Sequence, residues 1–175
     1  QRISTKESGA ITSDAPPISQ RPHKRPLPTT NQGNRDMAFV SQEMKKELSP
    51  AIKAVLKKYG MKASIGVKHH TSLVCNIKGG KLDILGSAQR GNDRIAERQG
   101  RDSYEVGAYL QVNTSWIEDH YDDEKVRSFL LELKSAMEGK NFFCKDDSMT
   151  DYFHRSHYID INVGQWDKPY DLQVA

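Results

Sequence analysis

Residues 150–166 bring His154 and His157, three apart, together with Asp151 and Asp160, and Asp147 stands just upstream. Histidines among carboxylates are the raw material of a metal centre or of acid–base hydrolysis, because both groups bind divalent cations and move protons near neutral pH. Zinc, however, needs three or four preorganised ligands. One His pair without a Cys-x-x-Cys or a His-Glu-x-x-His supplies too few, so no metal and no cofactor are expected. The carboxylates are spread through loops and a helix start without paired spacing. Asp151, His154 and His157 therefore stand as a catalytic alternative, behind the plainer reading that they are polar-face or rim residues. Gly79-Gly80 lacks the lysine and hydroxyl of a phosphate-cradling loop.

The same stretch carries Tyr152, Phe153, Tyr158 and Trp166. Their rings offer stacking surfaces for bases if the strand face bearing Tyr158 is open beside a basic helix; more ordinarily, such rings close the edge of a small core.

The charge is divided. Residues 1–36 hold six Lys/Arg and three Asp/Glu, residues 37–101 thirteen and five, and residues 102–175 seven and fifteen, which gives +3, +8 and −8 and the net +3 of the chain. A basic half is the footprint of a polyanion partner, although two opposed halves also attract each other across one fold. The candidate nucleic-acid-binding residues are Arg21, Lys24, Arg25, Lys53, Lys57, Lys58, Arg90, Arg94 and Arg98.

Apolar residues make up 36% of the chain, enough for one modest core. No run of eighteen apolar residues occurs, so no membrane partner is expected. Two cysteines, Cys75 and Cys144, fit a reducing compartment. A chain starting at Gln1 is expected to be a processed product, a fragment or a chain whose start was not retained.

Five prolines between positions 16 and 28 exclude a helix or a central strand there, so residues 1–36 read as an extended or disordered basic tail. Residues 37–175 read as a single domain. Ser49-Pro50 predicts a helix start, with Ile52, Val55, Leu56 and Tyr59 at helical spacing and Gly60 as terminator, and an upstream turn near Met44 and Leu48 extends the stripe. Alternation predicts a hairpin of residues 63–67 and 72–77 turning near His70-Thr71. Gly79-Gly80 reads as a turn and residues 81–85 as a third short strand. Residues 86–107 read as a mobile Arg-rich loop, functional or partly helical. Another strand is predicted at 109–112, a helix from Asp122-Asp123-Glu124 to Gly139, and a last strand carrying Ile159, Ile161 and Val163. Residues 166–170 read as a C-terminal clasp.

Three segments, KKYGMKASIGVKHHTSLVCNIKGGKLDI, YLQVNTSWI and TDYFHRSHYIDINVGQWDKPY, together resemble the large polyvalent protein associated domains of bacteriophages and conjugative elements. The resemblance covers roughly residues 57–170. It implies a protein that travels with phage or plasmid DNA and acts in the new host as an accessory or counter-defence factor, virion-associated or in the host cytoplasm. It implies no catalytic residues.

The expected architecture is α+β, a small antiparallel sheet covered on one face by two helices, with an extended N-terminal tail. The expected function is a non-enzymatic accessory protein whose partner is nucleic acid or a phage or host protein assembly, bound through the basic half. The alternatives are a small hydrolytic enzyme using residues near 147–160, or a protein inhibitor of a host factor.

Overall fold

The computed structural model describes residues 38–146, 149 and 154–173, all within one compact unit. The tail with Arg21, Lys24 and Arg25, and also Asp147, Asp151, Tyr152 and Phe153, lie outside the described residues.

The elements run α1 (Gln42–Lys58), β1 (Met61–Lys68), β2 (Ser72–Gly80), α2 (Ile84–Gln99), β3 (Leu110–Gln111), α3 (Ile117–His120), α4 (Glu124–Glu138), β4 (Tyr158–Val163) and β5 (Asp171–Leu172). The path of the sheet is β1-β2-β4-β3, and β5 pairs with β2 beyond the end of β4. β1 and β2 form the expected hairpin, and β3 is antiparallel to β4. β4 and β5, however, run parallel to β2, so the sheet is mixed rather than antiparallel throughout. Alternation in a strand carries no information about the direction of its neighbour.

Residues directly opposite one another share a face. One face is built from the rows Val67–Leu73–Ile159, Ile65–Cys75–Ile161 and Ala63–Ile77–Val163–Leu110. Helices pack against it: Ile52 and Leu56 of α1, Val126, Phe129, Leu130, Leu133 and Met137 of α4, and Ile84 and Ala88 of α2 join those strand residues in one core. The α+β layering expected from the sequence is present.

α1 begins earlier than its Ser49-Pro50 signal. Ser41 is the cap, accepting from the Met44 amide at 3.0 Å, and the helix runs through Pro50. Ser49 instead donates its hydroxyl to the Lys45 carbonyl at 2.5 Å. α4 matches its signal, with Asp123 capping the Lys125 and Val126 amides and Gly139 ending it.

Three segments depart from expectation. Gly79-Gly80 is the end of β2, not a turn: a Cβ on Gly79 would lie 2.9 Å from that of Asp171, so only glycine lets β5 close on β2. Residues 81–85 form no strand; Asp83 caps α2 through the Gly86 amide at 2.9 Å. Most of 86–107 is α2. The chain just beyond α2 is strapped back onto the helix: Asn92 Nδ2 donates to the Tyr104 carbonyl at 2.6 Å, Gln89 Oε1 accepts from the Val106 amide at 2.7 Å, and Ser103 donates to Asp93. Ser103 and, next, Gln89 Nε2, which donates to Asp93 Oδ1 at 2.7 Å, hold the Asp93 carboxyl below its usual range.

Candidate nucleic-acid interface

The second face of the sheet carries no described helix. Its rows are Lys68–Ser72–Tyr158, Gly66–Val74–Asp160 and Ser64–Asn76–Asn162–Gln111. Mostly polar residues at alternate positions of four strands, in register with the apolar positions of the core, produce it, with Gly66 and the buried Val74 at its centre. Asn162 Nδ2 donates to Asn76 Oδ1 at 2.9 Å across β4 and β2, and Gln111 Nε2 donates to Asp160 at 3.4 Å. A surface of side-chain amides and hydroxyls results, with donors and acceptors standing on a rigid backbone.

At one end of this face a tight turn follows β4. The Gln165 amide donates to the Lys168 carbonyl at 2.8 Å and the Lys168 amide donates back at 3.1 Å. This places Trp166 at the tip, 81% exposed. Tyr109, just before β3, is 53% exposed. Both rings line a concavity of about 380 Å³ floored by Asn76, Asn162 and Gln111. A second concavity of about 300 Å³, across the Gln165–Lys168 turn, is lined by Ser64, Asn76, Lys78 and Lys168. The clasp below is firm: Tyr170 donates its hydroxyl to the Leu82 carbonyl at 2.6 Å, and burial pushes that phenol up to about 12.

At the other end His69 and His70 take left-handed backbone conformations at φ 53° and 57°. The Thr71 amide closes that turn on the Lys68 carbonyl at 3.2 Å, and the Val40 amide braces it at the His70 carbonyl at 2.7 Å. Tyr158 lies on the helix-free face with the Arg155 guanidinium 4.7 Å from its ring centre, and Arg155 is ion-paired with Asp146.

The basic residues singled out in the sequence do not form one surface. Lys58 pairs with Glu132 at 2.7 Å, Arg94 with Asp122 at 2.8 Å, and Arg90 with Asp83 at 3.5 Å and Asp122 at 3.8 Å. Lys58, Arg90 and Arg94 of the basic stretch are thus ion-paired, with Glu132 and Asp122 supplied by the acidic stretch. Lys53, Lys57 and Arg98 have no ion-pair partner among the described residues. Lys53 and Lys57 belong to α1, which packs on the sheet face opposite Tyr158, so the basic helix and the Tyr158 face are not neighbours.

The histidines diverge as well. His157 is fully buried. Its Nε2 lies 3.0 Å from the Met137 carbonyl, which can only accept, so Nε2 carries the proton and satisfies one of the last carbonyls of α4. Its Nδ1 is 3.0 Å from Ser156 Oγ, and the edge of Phe142 closes the site. Burial holds its pKa below the usual histidine value, against the smaller opposing effects of the Met137 carbonyl and Glu138. His154 instead lies against Phe143, the ring centres 4.9 Å apart and the planes tilted by 59°. Among the described residues no group of three or more His, Cys, Asp or Glu side chains converges to hold a metal ion.

Sequence reasoning missed Asn76, Asn162, Gln111 and Tyr109. The signal was available: each occupies the polar phase of an alternating segment whose apolar phase marks the core. Among the described residues no helix is long and apolar enough to cross a membrane. No family model matches this chain, and no curated protein and no solved structure matches it.

Proposed function

We propose that this chain is a non-enzymatic accessory protein that binds single-stranded nucleic acid on the helix-free face of its sheet. The observation that carries the reading is the pairing of Trp166 and Tyr109, exposed on a tight turn and beside an edge strand, around a floor of Asn76, Asn162 and Gln111. Exposed rings stack on any base, and amides pair with base edges. Lys68, Lys78 and Lys168 at the margins supply charge for the backbone. The resemblance to phage and plasmid accessory domains supports a setting in which such a protein accompanies transferred DNA.

A second reading keeps the partner and moves the surface to α1, where Lys45, Lys46 and Lys53 flank one groove and Lys57 has no ion-pair partner among the described residues. One experiment separates the two. Binding of a fluorescent single-stranded oligonucleotide is titrated at low salt with the native chain, with Trp166→Ala, and with the double reversal Lys53→Glu/Lys57→Glu. The sheet reading expects Trp166→Ala to weaken binding by about fivefold to a hundredfold, as a stacking contact worth roughly 1–3 kcal/mol requires. Loss confined to the lysine reversal moves the site to α1. Absence of binding to any single strand at low salt ends the nucleic-acid reading and leaves a protein partner.

A further inference from the structure

β1 ends the sheet: among the described residues it pairs with β2 alone. Which of its backbone groups stay free follows from β2. The Thr71 and Ile77 carbonyls accept from the Tyr158 and Gly164 amides on the β4 side. Odd-numbered residues of β2 therefore turn their backbone groups to β4, and the even-numbered Ser72, Val74 and Asn76 turn theirs to β1. Their opposites Lys68, Gly66 and Ser64 are spent in that ladder. The N–H and C=O groups of Ala63, Ile65 and Val67 point the other way, to the open edge, and have no hydrogen-bond partner among the described residues.

Folds ordinarily blunt such an edge by keeping it short or by placing lysine, proline or a bulge along it. β1 runs for eight residues. Lys62 and Lys68 stand only towards its two ends, the bulge lies at Lys62/Ala63, and the stretch from Ala63 to Val67 carries no charge. The apolar layer also thins here: Leu73, Cys75 and Ile77 of β2 are fully buried, whereas Ala63, Ile65 and Val67 opposite them are half-buried. An added strand would satisfy the free backbone groups and finish covering those side chains at once.

Charge decides between the occupants. Two copies paired antiparallel about Ile65 would set Lys62 of each opposite Lys68 of the other, and like charges directly opposite are destabilising. Any antiparallel register would also lay two α1 helices side by side, because α1 packs on β1, and each carries Lys53 and Lys57. None of these four lysines has an ion-pair partner among the described residues. We propose that the open edge of β1 takes up an extended acidic segment of a partner protein as an additional antiparallel strand, with apolar side chains beside Ile65 and Val67 and carboxylates opposite Lys62 and Lys68. This goes beyond the nucleic-acid reading: the edge lies across the sheet from Tyr109 and β3, and of the residues used only Lys68 also borders that surface.

The probe is the labelled peptide Glu-Val-Thr-Val-Thr-Val-Glu, whose glutamates fall opposite Lys62 and Lys68 when its valines fall opposite Ala63, Ile65 and Val67. Its control carries lysine in place of both glutamates. Amide exchange resolved by residue reports the site. In the free chain the Ala63, Ile65 and Val67 amides should exchange about tenfold or more faster than those of Ser64 and Gly66, and saturation with the acidic peptide should remove that difference. The acidic peptide should bind about tenfold more tightly than its control at low salt, and Lys62→Glu/Lys68→Glu, at two exposed positions, should reverse the preference. Protection of the three amides by rising chain concentration without peptide overturns the inference in favour of a second copy. Peptide binding that leaves them unprotected, or no binding of the acidic peptide, overturns it as well. Trp166→Ala should leave peptide binding unchanged, so failure here leaves the nucleic-acid reading standing, and failure of the oligonucleotide titration leaves this one.

Discussion

Gly91 lies in the middle of α2, where replacing glycine by alanine ordinarily stabilises a helix by about 1 kcal/mol. The opposite outcome is expected here. A Cβ on Gly91 would sit 2.6 Å from the carbonyl carbon of His120 and nearer still to its oxygen. That oxygen belongs to the backbone of α3 and cannot rotate away, so α3 must move by about 1 Å to restore ordinary contact. Four bonds resist the movement: the Asp122 amide to the Ser87 carbonyl at 3.2 Å, the Asp123 amide to Ser87 Oγ at 2.9 Å, and Arg94 to the Asp119 carbonyl at 2.9 Å and to Asp122 at 2.8 Å. Overpacking of this kind costs about 1–3 kcal/mol. The upper part of that range, where a backbone contact that cannot rotate away belongs, set against the propensity gain leaves Gly91→Ala less stable by about 1–2 kcal/mol, and the melting temperature lower by roughly 3–8 °C for a domain of this size. Thermal denaturation followed by circular dichroism measures it. Gly66→Ala is the control, since a Cβ there meets nothing within 4 Å and should be neutral to stabilising by about 0.5 kcal/mol. A Gly91→Ala melt equal to or above that of the native chain would refute the close approach of α2 and α3.

Ser41→Ala should cost about 1 kcal/mol in a urea melt through loss of the α1 cap, while Ser49→Ala, whose hydroxyl only donates back to Lys45, should cost less; equal losses would restore Ser49 as the start of the helix. The fold takes up a proton on buried His157 less readily than the unfolded chain does. Stability should therefore be flat with respect to this group above pH about 6.5 and fall as the pH drops below it, by at most about 1.4 kcal/mol per pH unit; a His157→Gln chain with the same acid slope would contradict this. Burial pushes the Cys75 thiol up to about 12, whereas Cys144 is exposed. A thiol reagent at pH 8 should titrate one cysteine per native chain and two in denaturant, and two in the native chain would mean that the β2 core is open.

The elements read correctly from the sequence are those whose burial uses large apolar side chains. Val126, Phe129, Leu130, Leu133 and Met137 mark α4 at helical spacing, and Ile159, Ile161 and Val163 mark β4. α2 escaped because its buried positions, Ile84, Ser87, Ala88, Gly91, Asn92 and Ala96, keep the same three-and-four spacing with mostly small or polar residues. A scan for hydrophobicity passes over them, whereas a scan for small residues at that period finds them. The parallel pairing of β4 was illegible for a different reason, because strand direction depends on the route taken by the residues between β2 and β4. For the candidate interface, the ring of Trp166 was legible and its partners were not: nothing local to Asn76 says that Asn162 lies beside it.

That pairing has a consequence for synthesis. Asn76 and Asn162 touch across 86 residues of chain. A hairpin such as β1–β2 closes in about 1–10 μs, but at roughly 5–20 residues per second β4 is not made until several seconds later. Throughout that interval one edge of β2 offers unpaired backbone groups beside Leu73, Cys75 and Ile77, an invitation to pair with the same edge of a neighbouring nascent chain. Both strands that seal this edge, β4 and β5, are made only after α2, β3, α3 and α4. Crowded polysomes, slow codons after β2 and stop codons before β4 are therefore the conditions under which this chain should aggregate, even where the finished fold is stable.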